Sequence, residues 1–121
     1  MQKGSPVPEL FAQGAVPTRM YMARFYLPLR DNAGNAFPSA MFRPVEAELS
    51  TRFGGVTAHL ESPASGLWRE EGKTHIDEVV IFEVILDAAE RDWWRAYRAR
   101  LERDFRQKRI MLMLQPVEVI E

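Results

Sequence analysis

The chain carries two histidines, His59 and His75, and no cysteine. Without cysteine there is no disulfide framework, no thiolate metal site and no cysteine nucleophile, so proton transfer near neutral pH falls to imidazoles and carboxylates. If the segments around the two histidines fold back on each other symmetrically about Leu67, His59 and His75 become cross-strand neighbours and Thr57 faces Asp77 on the same side. Two imidazoles beside a carboxylate have the chemistry to share a proton or to bind a metal. Their spacing matches no ligand motif, and an edge strand carries polar side chains in any case. No metal or cofactor is assigned on this pattern.

A second set of chemically capable residues lies in apolar surroundings. Arg24 interrupts one apolar run and Glu83 another. An unpaired charge in such a setting costs several kcal/mol, so the two are expected to pair, within one subunit or across an interface. Such a pair serves either as a specificity-giving ion bridge or to orient a ligand. Tyr26, Trp68 and Arg69 are the candidate ligand contacts. Trp68 follows Gly66 and Leu67 in a loop, where an exposed indole is costly, so it packs over the core or walls a pocket. His59, His75, Asp77, Arg24 and Glu83 are the catalytic candidates, with no catalytic role assigned to any of them. No glycine-rich phosphate loop, Gly-x-Ser-x-Gly or His-Glu-x-x-His sequence occurs.

The elements that must position these residues are legible. Residues 78–86 hold seven apolar side chains among nine, five of them β-branched, with no glycine or proline. That pattern predicts a strand covered on both faces, near the middle of a sheet. Thr18 to Leu29 reads the same way, with Arg24 as its exception. A turn-rich loop, Arg30 to Ala36, leads to a first helix starting at Ser39 or Pro44 and ending at Gly54-Gly55. Val56 to Glu61 alternates as a partly solvated strand. Asp87-Ala88-Ala89-Glu90 has the form of a capping box and predicts the start of a second helix. A last strand is expected over Arg109 to Leu114, with Pro116 limiting its continuation to an edge. Residues 1–17, with Pro6, Pro8 and Pro17, are expected to form an extended arm, leaving 18–121 as a single domain.

An internal repeat orders these elements. The apolar stripe Phe42, Val45, Leu49, Phe53 recurs as Trp94, Tyr97, Leu101, Phe105 at an offset of 52 positions. Two such halves give strand, helix, strand, strand, helix, strand: a ferredoxin-like α+β sandwich with a four-stranded antiparallel sheet in the order 4-1-3-2 and both helices on one face. The doubly apolar strands then occupy the centre. The helices cover Tyr21, Ala23, Phe25, Leu27, Val80, Phe82, Val84 and Leu86. The other face shows Met20, Met22, Val79, Ile81, Ile85, Met111 and Met113, together with Tyr26, Arg24 and Glu83. An open apolar face of this kind predicts a homodimer packed sheet against sheet, or a hydrophobic ligand cavity.

Hydrophobic residues make up 46% and charged residues 27%, and 16 basic residues stand against 17 acidic ones, a net charge of −1. A domain-wide attraction to nucleic acid or to an anionic membrane is not expected. The arginines of the second helix interleave with acids, and Tyr26 alone is a thin match to the exposed aromatics of RNA-binding sheets. There is no signal-like apolar start and no apolar run long enough to span a bilayer, so a cytoplasmic setting is expected. Phe53-Gly54-Gly55-Val56-Thr57, Gly66-Leu67-Trp68 and Phe105-Arg106-Gln107 resemble a pattern in small uncharacterised bacterial proteins, over about residues 18 to 115. The resemblance implies a single α+β domain and brings no activity or catalytic residue with it. The reading that follows is a homo-oligomeric, non-enzymatic domain for interaction or small-ligand binding. The alternative is a cofactor-free enzyme or carrier of the dimeric α/β-barrel kind acting on a small hydrophobic molecule, and RNA binding comes third.

Overall fold

The computed structural model describes residues 19–61, 68–70, 73–75 and 78–120, with only the backbone of residues 60–61, 68–70 and 73–75. The arm expected over residues 1–17 lies outside the described residues. The chain forms β1 (Met20–Pro28), a short 3-10 turn (Ser39–Met41), α1 (Arg43–Phe53), β2 (Thr57–Glu61), β3 (Trp68–Glu70), β4 (Lys73–His75), β5 (Val79–Leu86), α2 (Arg91–Asp104) and β6 (Leu112–Val117).

The main sheet runs β2-β5-β1-β6, every neighbouring pair antiparallel. With the four long strands counted in chain order this is the expected 4-1-3-2 arrangement, and the fold is the ferredoxin-like α+β sandwich. The two doubly apolar strands, β1 and β5, are the central pair. Their helix-side residues Ala23, Phe25, Leu27, Phe82, Val84 and Leu86 are buried together with Val45 and Leu49 of α1 and with Trp94, Tyr97, Leu101 and Phe105 around α2. Phe25 stacks on Phe82 at 5.1 Å and meets the edge of Tyr97 at 6.1 Å, so sheet and helix interlock through aromatic rings. Fully burying a side chain of this size contributes about 2–3 kcal/mol.

Local chemistry explains most element ends. Pro44 sits in the first turn of α1, where its missing N–H has no bond to lose. Gly54 closes that helix in the left-handed region (φ 81°), its N–H donating to the Ser50 carbonyl at 2.9 Å. The capping box at α2 does not form. The helix starts at Arg91, and Glu90 precedes it in a left-handed conformation (φ 50°, ψ 50°) without a side-chain cap. The Glu90 carboxylate instead accepts from Arg52 Nη2 at 2.6 Å, tying the start of α2 to the end of α1. A bond between helices thus replaces the local one that the sequence pattern favours.

Two further expectations are corrected. The last strand begins at Leu112 and contains Pro116, because the preceding residues round the corner: Ile110 is buried and its N–H donates to Glu102 Oε2 at 2.9 Å. As β6 is an edge strand, Pro116 is tolerated within it. The connection after β2 holds a separate two-stranded ribbon, β3–β4, pairing Trp68 with His75. His59 lies opposite Ile81, and Thr57 opposite Glu83, so the expected His59–His75 and Thr57–Asp77 pairings are not the register of the sheet. That register brings Ala58 opposite Phe82, on the face that packs against the helices.

Candidate functional site

The sheet face away from the helices carries a short polar row. Arg24 on β1 stands directly opposite Glu83 on β5, and Glu83 in turn lies opposite Thr57 on β2. Arg24 Nε donates to Glu83 Oε2 at 2.7 Å, and Nη2 reaches the same oxygen at 2.6 Å. The other carboxylate oxygen, Oε1, is 4.0 Å from His59 Nε2. In the next row along the strands, Tyr26 and His59 flank Ile81 on its two sides. Strand alternation therefore presents Arg24, Tyr26, His59 and Glu83 on one surface, as a consequence of the register alone.

Arg24 is held protonated even above its ordinary range, first by its contact with the Tyr26 hydroxyl and then by the Glu83 carboxylate, with burial opposing both. The Glu83 contact is the one with full hydrogen-bond geometry. The side chains of Arg24, Glu83 and His59 are 35%, 25% and 41% exposed, so the cluster remains open to a ligand or a partner surface.

The apolar residues around it are unevenly covered. Met111 and Met113 are exposed, whereas Met22, Val79, Ile81 and Ile85 are half-buried. Met20, expected on the open face, is fully buried although it stands outside the helix-side core. The face is thus widest open along β6. At one end, where β1 runs out and β6 is about to begin, it meets a cavity of about 550 Å³ whose walls include Tyr26, Val79, Arg109 and Met111. A second cavity, of about 450 Å³, lies between α1 and α2 beside Tyr97 and Arg100.

Of the residues singled out from sequence, the structure brings together Arg24, Tyr26, His59 and Glu83. Trp68, Arg69 and His75 lie on the β3–β4 ribbon, where the backbone alone is described, and Asp77 lies outside the described residues. Among the described residues, no three His, Asp or Glu side chains form a group able to hold a metal ion. Arg30, Asn32 and Arg109, which also line the end cavity, were not singled out, because loop residues distant in sequence meet there only after the sheet is built. The arginines of α2 are largely answered by acids: Arg95 by Asp92 at 2.8 Å, Arg98 by Glu102 at 3.7 Å, and Arg100 by Glu48 of α1. Trp93 stacks on Tyr97 at 4.9 Å with the Arg52 guanidinium 4.6 Å above it. No described helix is long and apolar enough to cross a membrane.

No protein-family model matches the chain, and no curated protein sequence does. Among solved structures it is similar to a phage SAM lyase determined in complex with S-methyl-5'-thioadenosine, with a TM-score of 0.56 and 13% sequence identity, over 87% of this chain and 94% of that one. At that identity the likeness concerns the fold: an α+β sandwich that an enzyme also uses.

Proposed function

We propose that the protein is a homo-oligomeric α+β domain that binds a small molecule on the sheet face its helices leave uncovered. The observation that carries this reading is the placement of Arg24, Glu83, Tyr26 and His59 at the centre of that face, with the apolar side chains of Met22, Ile81, Ile85 and Met113 beside them. Ligand sites combine an apolar lining with a few converging polar groups, and this face has that composition. The exposed Met111 and Met113 extend the apolar surface beyond the polar cluster, which suits a second copy packing along β6 and enclosing the ligand. Methionine adapts to irregular partners, so such an interface need not be rigidly complementary.

A second reading is a cofactor-free enzyme on the same face. The 4.0 Å approach of His59 Nε2 to Glu83 Oε1 favours it, since the pair supplies an acid and a base close to each other. The similarity to a SAM lyase adds a concrete substrate to try.

Sedimentation velocity at micromolar concentration and calorimetric titration with SAM and S-methyl-5'-thioadenosine, alongside a wider small-molecule set, test both readings. An assembly larger than a monomer, and a ligand whose affinity drops in Glu83→Gln, are expected. A compact monomer with no ligand sensitive to Glu83 or Arg24 overturns the proposal. Release of S-methyl-5'-thioadenosine from SAM, lost in Glu83→Gln, selects the enzymatic reading over simple binding.

A further inference from the structure

We infer that the cavity at the end of the sheet takes a small organic anion, a carboxylate or phosphate monoester attached to an apolar body, with Arg109 as its principal cation. This rests on the reading of the adjoining sheet face as a ligand site. The cavity, about 550 Å³, falls within the size range of small-molecule sites. Its lining is divided: Tyr26, Val79 and Met111 supply apolar surface, while Arg30, Asn32 and Arg109 supply donors.

By formal charge the lining balances, Arg30 and Arg109 against Asp31 and Glu78, but the pairing within it is uneven. Two carboxylates stand in the lining, and both are already engaged. Asp31 accepts from the N–H groups of Ala33 and Asn35 at 2.9 and 2.8 Å and closes its own turn. Glu78 lies 3.5 Å from Arg30 Nε. Arg109 has no acidic partner among the described residues. Arg106 and Lys108 precede it closely in the chain, adding two further cations to this stretch. A guanidinium presents a planar fork that matches a carboxylate or phosphate in bidentate fashion, and partial enclosure strengthens the bond.

The walls are also held in place. Asn32 Nδ2 donates to the Arg106 carbonyl at 3.4 Å, joining the loop after β1 to the turn after α2. Tyr26 belongs both to this cavity and to the Arg24 cluster, which its hydroxyl contacts. A ligand anchored at Arg109 therefore has its apolar body directed along Tyr26 and Met111 towards Arg24 and Glu83.

The test is a titration of the isotopically labelled full chain with phenylacetate, phenyl phosphate and neutral phenylacetamide at constant ionic strength, followed by amide chemical shifts. Saturable shifts at Gly34 and Met111 are expected with one or both anions and not with the amide. Arg109→Gln should weaken that binding by about tenfold, and Arg95→Gln should not. The stronger of the two anions identifies the head group. Equal binding of the amide, indifference to Arg109→Gln, or no shifts at all overturns the inference. If the anions fail while another ligand shifts the amides of Arg24 and Glu83, the cavity assignment falls and the sheet-face reading stands. If anions bind in an Arg109-dependent way and nothing responds to Glu83→Gln, the cavity assignment stands and the sheet-face reading falls.

Discussion

Arg24 and Glu83 face each other across the two central strands, with two guanidinium nitrogens at 2.6 and 2.7 Å from a single carboxylate oxygen. A cross-strand pair of this kind is worth more than an isolated surface ion pair, because the strands already hold the two side chains in register. It is worth less than a buried one, because about a third and a quarter of the side chains remain exposed. A double-mutant cycle with Arg24→Met and Glu83→Gln, read by urea unfolding, should give a coupling of about 1 kcal/mol that shrinks at high salt. Zero coupling would reduce the pair to a crystal-like surface contact without energetic weight.

Alkaline pH offers a second handle. Burial pushes the Tyr97 hydroxyl up to about 12, with the Glu48 charge adding to the effect and Arg100 drawing it back. The folded value lies above the unfolded value near 10, so the associated stability is complete below pH 10 and disappears as pH rises towards 12. The loss should amount to roughly 2–3 kcal/mol, and Tyr97→Phe should remove this component of alkaline unfolding. At neutral pH the same substitution should cost less than about 1 kcal/mol, because the buried hydroxyl has no hydrogen-bond partner of full geometry among the described residues. Denaturant melts from pH 8 to 12 on both proteins decide the matter.

Arg106 follows α2 with φ 54°, in the left-handed position where glycine is preferred. Its N–H donates to the Arg103 carbonyl at 3.2 Å and that of Gln107 to Glu102 at 2.9 Å, the bonding of a Schellman motif. Arg106→Gly should raise stability by about 0.5–1 kcal/mol. Glu90→Gly, at φ 50°, should gain less or nothing, since it also discards the 2.6 Å bond to Arg52. A comparison of the two midpoints in urea checks both expectations.

Association through the open face predicts a mass change without unfolding. Met111 and Met113 are 54% and 40% exposed, so Met111→Lys with Met113→Lys should leave monomer stability within about 0.5 kcal/mol of the parent. In sedimentation equilibrium the variant should shift from the assembled species to the monomer. An unchanged mass would place any interface elsewhere.

Much of the fold is written locally. The runs around Phe25 and Phe82 are apolar at every position except Arg24 and Glu83, and no edge strand needs that, so they fall to the centre of the sheet. The repeat of Phe42-Val45-Leu49-Phe53 as Trp94-Tyr97-Leu101-Phe105 identifies two equivalent helices that share one core. Period-two alternation then assigns Arg24, Tyr26, Glu83 and His59 to the opposite surface. The capping box at Asp87 misled because its signal is local, whereas Glu90 is held by an arginine 38 positions away.

The composition and periodicity of the chain were sufficient to decide the two helices, the central strands and the faces of their side chains, because these follow from burial and from 3.6- and 2-residue repeats; the β3–β4 ribbon carries no such period and was not legible. Register was decided only in three dimensions. Symmetry about Leu67 pairs His59 with His75, yet helix-side packing of Ala58 opposite Phe82 puts Ile81 opposite His59 and Glu83 within 4.0 Å of its imidazole. The cavity beside Arg109 likewise depends on three segments of the chain meeting at one corner of the sheet, and only the folded backbone brings them there.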